Sequence, residues 1–459
     1  MKHFVYSFNE GSKDMRGLLG GKGANLAEMT KIGLPVPFGF TITTEACNEY
    51  YRNGCKLSEE IISEIKEKLS ELENVTGKTF GSTTNPLLVS VRSGSVFSMP
   101  GMMDTILNLG LNDESTKGLS DLTENRKFAL DSFRRFIQMY GNVVMEIDSK
   151  NFEDIIEKAK KARGIKFDIE LDEDALCEII DEYKRIVRYG EDGGFPSEPE
   201  VQLIEAVKAV FRSWNNDRAI RYRRMERIPD SLGTAVNVQS MVFGNMGNTS
   251  GTGVAFTRSP VNGDNNVYGE FLVNAQGEDV VAGIRTPKPI SEMAESFPEV
   301  YEDFVNIAKV LEQHYKDAQD MEFTVQEGKL WFLQTRSGKR TGTAMVKIAM
   351  DLMHDGIIDE KTAIMRCEPQ KLDELLHPVF DKLALSKSKV ITQGLPASPG
   401  AACGQIVFHA DDAEAWHADG HKVIMVRIET SPEDLAGMSA AEGILTARGG
   451  MTSHAAVVA

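Results

Sequence analysis

The sequence predicts a multidomain protein of the mixed α+β and α/β classes. Its 459 residues exceed what one ordinary hydrophobic core can organise, so two or three domains are expected. The pattern also changes along the chain, from mainly helical periodicity at residues 126–227 to short strands at 234–336. A last β/α module begins near residue 399. These shifts indicate separate structural units rather than one repeated unit.

The first stretch combines strands with a glycine-rich turn. Residues 4–8 have the composition of a strand, and the LLGGKG segment at 18–23 predicts a turn that leads into a helix with Lys22 at its entrance. Pro35 and Pro37 end that helix, and residues 38–42 follow as a strand. A helix is expected near 59–72. Residues 87–94 then predict a strand that carries Arg92 at its end.

The middle and last stretches follow the same rules. Amphipathic helices are predicted at residues 127–140, 152–163, 174–188 and 198–212, with their charges on solvated faces. Strands are predicted at residues 235–243, 253–257, 268–273, 321–325 and 330–335, and one helix at 300–315 separates the last pair from the others. Helices resume from 343 to about 376. The GLPASPG segment at 394–400 has the composition of a linker, and residues 423–428 predict a strand.

Composition excludes several functional classes. The balance of 51 basic and 68 acidic residues gives a net charge of −17, which argues against a nucleic-acid or anionic-membrane partner. A phosphate ligand stays compatible, because basic residues in a cleft can outweigh the net charge. Neither a signal peptide nor a run of transmembrane length is recognisable. Five cysteines without a CxxC pair indicate reduced thiols, so a cytoplasmic protein is expected.

The GGMTSH segment at residues 449–454 is the strongest candidate for catalysis. An apolar run at 443–447 leads into it as a buried strand, the two glycines permit a sharp turn, and the following residues can begin a helix. His454 then lies in the first helical turn, where unpaired N–H groups and the helix dipole disfavour imidazolium. A neutral imidazole could act as a nucleophile, and the same place could hold a phosphoryl group afterwards. The alternative is an ordinary polar residue at a helix start.

Two loops could hold phosphate. Lys22 in its glycine turn combines a point charge with backbone donors, although a capped helix with an exposed lysine explains the same residues. Residues 247–253, GNTSGTG, are small and rich in hydroxyl groups, and they could let the backbone approach a phosphate or form a plain hairpin loop.

A hairpin with Gly328 in its turn could hold a metal ion. Side chains alternate along a strand, so Asp320 shares a face with Glu322, and Gln334 shares one with Arg336. A three-residue loop would put all four on one face, whereas a two-residue loop would split them. Carboxylate and amide oxygens beside a guanidinium suit Mg²⁺ bound to nucleotide phosphates. An exposed polar face of a half-buried sheet is the alternative.

Six motifs give the chain a resemblance to the pyruvate, phosphate dikinase family over nearly its whole length. They are LLGGKG (18–23), SVRSG (90–94), SMPGMMDT (98–105), QDMEF (319–323), LQTR (333–336) and GMTSH (450–454), in the order and spacing of the family. The resemblance implies an ATP-grasp nucleotide-binding domain at 1–339 with a helical insertion at about 112–227. It also implies a helical linker at 340–398 and, at 399–459, the first part of a swivelling β/β/α phosphohistidine domain. Family members continue past this point, and a C-terminal barrel for phosphoenolpyruvate and pyruvate would be absent here.

By motif position, the resemblance also implies roles for individual residues. Lys22 and Arg92 would contact the phosphates of ATP, residues from Gln239 to Val242 would edge the adenine, and Glu278 would face the ribose. The nucleotide contacts implied are Lys22, Arg92, Gly101, Gln239, Val242, Thr252, Gly253, Glu278 and Arg336, and the Mg²⁺ ligands implied are Asp320, Glu322 and Gln334. His454 matches the phosphorylated histidine. Thr452 matches the threonine that a bifunctional regulatory kinase/phosphatase modifies in some members.

The family's reaction is what the resemblance implies for the chemistry. His454 would attack the β-phosphate of ATP and release AMP, inorganic phosphate would take the terminal phosphoryl group as diphosphate, and phosphohistidine would convert pyruvate to phosphoenolpyruvate. Because the barrel would be absent, this chain alone is expected not to turn over pyruvate. Full-length relatives suggest a homodimer. The residues at Ser95-Val96-Phe97 depart from the usual pattern beside Arg92, which leaves the details of phosphate contact there open.

Two rival functions remain. Pyruvate, water dikinase shares the architecture and uses water as second acceptor, but its histidine motif usually has cysteine where this chain has Ser453, and its lysine turn differs. A non-catalytic remnant that only binds nucleotide is the second rival. Phosphate-dependent release of diphosphate in a full-length version separates the first rival. Labelling of His454 by ATP without turnover supports a half-enzyme, and no binding of ATP at all supports an inert remnant.

Overall fold

The computed structural model describes residues 3–99, 101–281, 285–373, 375, 381–387, 389, 394–398, 400–450 and 453–458. The chain forms two compact units, Met1–Val242 and Phe243–Ala459. Both units contain helices and strands, so the fold is a mixed α/β multidomain architecture, as the sequence predicts. No helix in the described ranges combines the length and hydropathy needed to span a membrane.

The first unit is built on a five-stranded antiparallel sheet. Its elements are, in order, β1 (Val5–Ser7), α1 (Arg16–Lys31), β2 (Gly39–Ile42), α2 (Thr44–Arg52), α3 (Glu59–Thr76), β3 (Thr79–Phe80), β4 (Pro86–Leu87), β5 (Val89–Ser95), β6 (Thr105–Leu109), α4 (Asp113–Thr123), α5 (Arg126–Val143), α6 (Ser149–Arg163), α7 (Glu173–Ile186), α8 (Pro199–Ser213), α9 (Asp217–Met225) and β7 (Thr234–Ser240). The sheet order is β1-β2-β7-β5-β6, so the last strand of the unit inserts between β2 and β5. Nearly every residue of β7 is buried, as expected for a central strand.

Helices α4–α9 lie between β6 and β7 in sequence, and side-chain caps set most of their starts. Asn112, Asn125 and Asp172 accept hydrogen bonds from the backbone N–H groups three residues ahead in α4, α5 and α7. Such caps replace the hydrogen bonds that a helix start lacks. Gly164 ends α6 in the left-handed conformation. The predicted helices at 127–140, 152–163, 174–188 and 198–212 therefore occur, with ends shifted by up to three residues.

The second unit contains a further five-stranded antiparallel sheet and a small parallel one. Its elements are β8 (Gly251–Phe256), β9 (Tyr268–Val273), α10 (Gly277–Val281), β10 (Lys288–Pro289), α11 (Met293–Ser296), α12 (Pro298–Tyr315), β11 (Gln319–Gln326), β12 (Lys329–Ser337), α13 (Gly342–His354), α14 (Glu360–Arg366), α15 (Pro369–Asp373), α16 (Lys382–Lys387), β13 (Gln405–Val407), α17 (Ala410–Ala418), β14 (Val423–Arg427), α18 (Leu435–Ala440), β15 (Gly443–Thr446) and α19 (His454–Val458). The larger sheet has the order β10-β9-β8-β11-β12.

Helix α12 covers the β11–β12 part of the larger sheet. Its Phe304 is fully buried, and its ring centroid lies 4.7 Å from that of Phe323 and 5.7 Å from that of Phe332. Aromatic contacts of this kind add to the burial of apolar area. The opposite face of the hairpin is therefore left to its polar side chains.

A buried arginine ties this helix to the one that follows the hairpin. Arg258 is 2% exposed. Its Nε donates to both carboxylate oxygens of Glu312 on α12, at 2.9 and 3.0 Å, and its Nη1 donates to Asp351 on α13 at 3.3 Å. A charge in this position needs its partners, because an unpaired buried charge is costly. The network anchors α13 to the larger sheet.

The small sheet, β13-β14-β15, is parallel, with α17 and α18 as its connections. Apolar side chains from its strands and both helices form a core of Val407, Ala413, Val423, Met425 and Met438. Adjacent parallel strands end at the same edge of a sheet, so the segments that follow β14 and β15 lie together. His454 is in the second of these segments.

Candidate active site

The glycine-rich turn of the first unit lies directly against β5. Helix α1 is interrupted at Gly20, where φ is 69° and ψ is 171°. A Cβ atom placed on Gly20 would lie 1.8 Å from the carbonyl oxygen of Gly94 in β5. Both the backbone conformation and the close approach need glycine. The main part of the helix then starts just after the break, with Lys22 at its entrance as predicted.

Lys22 and Arg92 are brought to the same side of the sheet. A Cβ atom placed on Gly94 would lie 3.5 Å from the Cβ of Lys22, and Arg92 is two residues before Gly94 on the same face of β5. The prediction that Arg92 ends its strand is wrong. Arg92 pairs with Asn237 of β7 and Thr105 of β6 in the middle of β5, because the small residues after it continue the pairing to Ser95.

Three other predicted nucleotide contacts in this unit have different environments. Gly101 is exposed in the loop between β5 and β6, with φ at 70°. Gln239 is 1% exposed within β7, and its Nε2 donates to the carbonyl oxygen of Pro37 at 3.2 Å. Val242 is half-buried in the irregular segment after β7. The amide nitrogen of Gln239 is thus used inside the sheet, which disfavours an adenine contact by that atom.

In the second unit, the β11–β12 hairpin places the predicted metal and phosphate residues on one face. Asp320 lies opposite Arg336, and Glu322 lies opposite Gln334. Residues directly opposite on antiparallel strands point to the same side. The hairpin loop nevertheless has two residues, Glu327 and Gly328, both with positive φ. The expectation that a two-residue loop would split the set is therefore wrong.

A β-bulge explains this result. Phe323 pairs with Phe332, but Glu322 pairs with Gln334, so Leu333 is an extra residue in β12. The extra residue shifts the register by one and returns Gln334 and Arg336 to the face of Asp320 and Glu322. Bulges commonly re-aim side chains beside functional sites.

On this face the buried carboxyl group of Asp320 lies beside the guanidinium of Arg336. Arg336 Nε donates to Asp320 Oδ2 at 2.6 Å. Burial nevertheless raises the pKa of Asp320 above its usual value; Arg336 opposes the shift, and the charge of Glu322 adds to it. Burial also works against the charge of Arg336, but Asp320 and Glu322 outweigh it, so the pKa of Arg336 is raised.

Two oxygens on this face lack partners among the described residues. They are Oδ1 of Asp320 and Oε1 of Gln334, both buried. Buried acceptors without hydrogen bonds are uncommon and costly, and they indicate a missing ligand. No group of three or more His, Cys, Asp and Glu side chains in the described ranges is placed to hold a metal ion. A cation on this face would therefore have at most two protein carboxylates, with Gln334 and oxygens of its own ligand as further donors.

Thr252 joins this face, but its neighbour Gly253 does not. Thr252 lies opposite Thr324 on β11, and its Oγ1 donates to the carbonyl oxygen of Phe323 at 3.0 Å. A Cβ atom placed on Gly253 would lie 2.6 Å from the ring of Phe323, so Gly253 makes room for the core. The prediction of a loop at 247–253 is wrong for its last three residues, which pair with both β9 and β11.

The segment before His454 turns as the sequence predicts. Gly449 has φ at 111°, and a Cβ atom there would lie 2.9 Å from the side chain of Ser453. The N–H of Ser453 donates to the carbonyl oxygen of Gly450 at 3.1 Å, and α19 begins at His454. The predicted regulatory residue Thr452 lies outside the described residues, as does the side chain of Glu278, whose backbone is in α10.

Burial favours the neutral form of the His454 imidazole, and one of its ring nitrogens lies within hydrogen-bond distance of a hydroxyl group. Burial lowers its pKa below the usual value, against the opposing effect of the carboxylates of Asp434 and Glu433. Nδ1 lies 3.1 Å from Oγ1 of Thr430, and the buried Nε2 has no hydrogen-bond partner among the described residues. With the proton on Nδ1, the free lone pair is on Nε2. Burial is the main cause of the shift.

Sequence reasoning missed Thr430 and the loop that carries it. Asp434 Oδ2 accepts from the N–H of Ser431 at 2.9 Å, and Asp434 Oδ1 lies 3.1 Å from Nη2 of Arg427. These contacts hold the loop after β14 beside His454. The signal was available: hydroxyl residues follow directly on a predicted strand whose end must share an edge with the strand before the histidine.

Two family models match the chain. The family model "Pyruvate phosphate dikinase, AMP/ATP-binding domain" matches residues 16–65, 55–300 and 297–356. The model "PEP-utilising enzyme, mobile domain" matches residues 420–459.

Curated relatives extend the match over the chain. A pyruvate, phosphate dikinase of Clostridium symbiosum is 58% identical over 460 residues, which are 100% of this chain and 53% of the relative. The chloroplastic enzyme of Mesembryanthemum crystallinum is 58% identical over 98% of this chain and 47% of its own length, and enzyme 1 of Zea mays is 56% identical over 100% and 48%. The chain spans about half the length of these relatives. It belongs to the pyruvate, phosphate dikinase family.

Proposed function

We propose that this chain is the ATP-dependent phosphotransferase half of a pyruvate, phosphate dikinase, and that ATP phosphorylates it on His454. The observation that carries the proposal is the state of His454: its burial favours the neutral imidazole, Thr430 holds Nδ1, and Nε2 is free. A neutral, oriented imidazole is what nucleophilic attack on phosphorus needs. The family of the chain and the printed names of its relatives support the same chemistry.

In this proposal, residues 1–339 form an ATP-grasp domain with a helical insertion at about 112–227. Residues 340–398 are a helical linker, and residues 399–459 are the first part of a swivelling phosphohistidine domain. Lys22, Arg92 and the residues of the β11–β12 face bind ATP phosphates. The further contacts proposed are Gly101, Gln239, Val242, Thr252, Gly253 and Glu278.

The face formed by Asp320, Glu322 and Gln334 fits a divalent cation, for which Mg²⁺ is proposed. Its orphaned oxygens Asp320 Oδ1 and Gln334 Oε1 are hard ligands of the kind that Mg²⁺ prefers. When bound, Mg²⁺ supplies neutralisation of phosphate charge. Arg336 stays protonated beside Asp320 and adds a second positive charge. Asp320 and Gln334 would orient the nucleotide through the cation rather than by direct contact.

In the proposed reaction, each bond that forms is matched by a bond that breaks. Nε2 of His454 attacks the β-phosphorus of ATP and forms a nitrogen–phosphorus bond. The bond between the β-phosphorus and the oxygen that bridges it to the α-phosphate breaks, and AMP leaves. Inorganic phosphate then takes the terminal phosphoryl group and leaves as diphosphate. Thr430 keeps the Nδ1 proton in place while Nε2 reacts. Pyruvate would receive the remaining phosphoryl group in the full-length enzyme.

Radiolabelled ATP tests the proposal directly. The purified chain, with Mg²⁺ and ATP labelled at the β-phosphate, should acquire an acid-labile label on His454, and His454→Asn should abolish it. Label from the γ-phosphate should leave as diphosphate when inorganic phosphate is added. Release without added phosphate would indicate pyruvate, water dikinase instead. Binding of ATP without label would indicate a non-catalytic nucleotide-binding remnant, and phosphoenolpyruvate formation by this chain would contradict the assignment to a half-enzyme.

Regulation at Thr452 is proposed from the family motif. A phosphate two residues before His454 would repel the incoming phosphoryl group. Thr452→Glu should therefore slow the labelling of His454, whereas Thr452→Ser should not. Labelling of the glutamate variant at the normal rate would contradict this proposal.

A further inference from the structure

The loop between β5 and β6 forms a tight turn that presents Gly101. The N–H of Met102 donates to the carbonyl oxygen of Met99 at 3.2 Å, and Gly101 has φ at 70°. A turn whose third residue has positive φ favours glycine there. Met99 and Met102 are buried, whereas Gly101 is exposed. The flanks of the turn are therefore held in the interior of the unit, and its glycine faces solvent.

Three hydrogen bonds join the flanks of this turn to helices α8 and α9, more than a hundred residues later in the chain. The N–H of Asp104 donates to Oγ of Ser213 at 3.4 Å, and Nη2 of Arg218 donates to Oδ1 of Asp104 at 3.3 Å. The hydroxyl group of Tyr222 donates to the carbonyl oxygen of Ser98 at 3.4 Å. All three distances exceed the usual range for hydrogen bonds, so each bond is weak by itself.

Asn216 makes a shorter contact, and it does so next to Gly101. Its Nδ2 donates to the carbonyl oxygen of Met102 at 3.1 Å, while its Oδ1 accepts from the N–H of Ala219 at 2.7 Å and caps α9. Asp and Ser cap helix starts about as well as Asn does, so the cap alone does not require an amide. Among these residues only Asn supplies an acceptor for the helix and an amide donor for the loop from one planar group. The position of the turn is thereby coupled to the start of α9.

The start of α9 is itself held by a buried arginine. Arg223 is 1% exposed, and the carbon of its guanidinium lies 4.1 Å from the centroid of the Trp214 ring. Its Nε donates to Oδ1 of Asp230 at 2.7 Å, and its Nη2 donates to Oδ1 of Asn215 at 3.2 Å. Nε1 of Trp214 donates to the carbonyl oxygen of Asp230 at 3.0 Å. These contacts fix the two residues before Asn216, so the loop is bonded to a rigid support.

We propose that Asn216 is a positioning residue for ATP, which holds the carbonyl group of Met102 so that the backbone at Gly101 is already in place for the nucleotide phosphates. This inference rests on the proposed function, in which Gly101 contacts those phosphates. Asn216 touches no atom of the substrate and acts only through the loop. A loop that is ordered before binding does not lose conformational freedom when the ligand binds, and the affinity rises accordingly. Loss of the anchor should therefore weaken the binding of nucleotides that carry phosphate.

Asn216→Asp separates the anchor from the cap. The carboxylate still accepts from the N–H of Ala219, so α9 should keep its start, but it has no donor for Met102. Asn216→Ser keeps a neutral cap whose hydroxyl group is too short to reach Met102 as well, which controls for the added charge. Asn125→Asp makes the same change at the cap of α5, where Oδ1 accepts from the N–H of Phe128 at 3.0 Å, and it serves as the matched control.

Hydrogen exchange followed by mass spectrometry tests the anchor without nucleotide. In Asn216→Asp and Asn216→Ser, the peptide that covers residues 98–104 should exchange about three- to tenfold faster than in the unmodified chain, while residues 217–225 should exchange at the normal rate. Asn125→Asp should change neither peptide. Unchanged exchange at 98–104 in both Asn216 variants would overturn the proposal. Faster exchange in Asn216→Asp alone would assign the effect to the added charge, which contradicts the proposal too.

Calorimetry tests the consequence with an ATP analogue that has a methylene group between its α- and β-phosphorus, because this analogue binds without transferring a phosphoryl group. With Mg²⁺, its affinity should fall about tenfold in both Asn216 variants, whereas adenosine, which has no phosphate, should bind equally to all forms. An unchanged affinity for the analogue, or an equal loss for adenosine, would overturn this inference alone. No binding of the analogue by the unmodified chain would overturn the proposed function together with it.

Discussion

Replacing Thr430 by valine tests how the protein prepares His454. Valine has nearly the same shape as threonine but cannot accept the hydrogen bond that joins Oγ1 to Nδ1 over 3.1 Å. The half-buried imidazole would keep its burial and lose its orientation. Leaving a buried donor unpaired costs about 1–3 kcal/mol. Because about 1.4 kcal/mol corresponds to a tenfold change in rate, labelling of His454 by ATP should slow roughly five- to 150-fold.

The pH dependence separates orientation from protonation. Burial lowers the pKa of His454, so the neutral imidazole persists below pH 6.5, its ordinary midpoint, and labelling should fall only as the pH drops through the lower value. Because burial is the first cause of that shift, Thr430→Val should lower the plateau of the rate and leave its midpoint nearly unchanged. Single-turnover labelling at saturating ATP, followed across this pH range, measures both the plateau of the rate and the pH of its midpoint.

A conservative variant completes the test. Thr430→Ser keeps the hydroxyl group and should label at close to the normal rate. If the valine variant labelled as fast as the unmodified chain, or if serine were as slow as valine, the contact would not position His454. A valine variant whose midpoint rose above pH 6.5 would show that Thr430 acts on protonation, against the present reasoning.

Three further changes test the surroundings of the site. Gly20→Ala places a Cβ 1.8 Å from a backbone oxygen, so it should lower the free energy of unfolding in urea by at least about 1–3 kcal/mol. The control Gly17→Ala, with no atom within 4 Å of its Cβ position, should not lower it. Asp320→Asn should weaken Mg²⁺-dependent ATP binding, measured by calorimetry, about tenfold or more; equal affinity would contradict the metal site. Glu312→Gln leaves the buried guanidinium of Arg258 without its main partner and should lower the free energy of unfolding by about 3–5 kcal/mol. Lys347→Met breaks a surface pair and should lower it by under about 1 kcal/mol in the same assay.

The pKa of Asp320 determines how its contribution to the stability of the fold changes with pH. Burial raises the folded-state pKa above the unfolded value of about 3.9, so the associated stability is fully present below that value and is lost as the pH rises through the folded pKa. While it is ionised, the buried carboxylate therefore opposes folding until a cation compensates it. Mg²⁺ with ATP should raise the melting temperature of the unmodified chain more than that of Asp320→Asn. The same increment in both proteins would refute this linkage.

Local pattern predicted the elements well wherever neighbouring residues decide them. The strand predicted at 268–273 is β9 to the residue, and most helices between β6 and β7 begin at Asn and Asp caps that are visible in the sequence. The aliphatic strand β6 and the short β13 were missed. A strand of three to five residues carries too few alternations for periodicity to separate it from a loop.

The register of paired strands and the contacts between distant residues could not be predicted from local sequence pattern. A bulge at Leu333 decides which face Gln334 occupies, and it depends on pairing with β11 rather than on the residues of β12. Arg92 lies within its strand because β7, more than a hundred residues later, continues to pair with the small residues after it. Neither fact follows from the order of amino acids near these positions.

The sequence by itself determined the family, the glycine break before Lys22 and the turn before His454, because motifs and backbone permissiveness are local properties. Only the tertiary structure decided that Asp320, Glu322, Gln334 and Arg336 share a face, and that Thr430 holds Nδ1 of His454. Both depend on which strands lie side by side and where they end. Strand pairing is a non-local free-energy minimum over the whole sheet, so it appears only when the chain is folded.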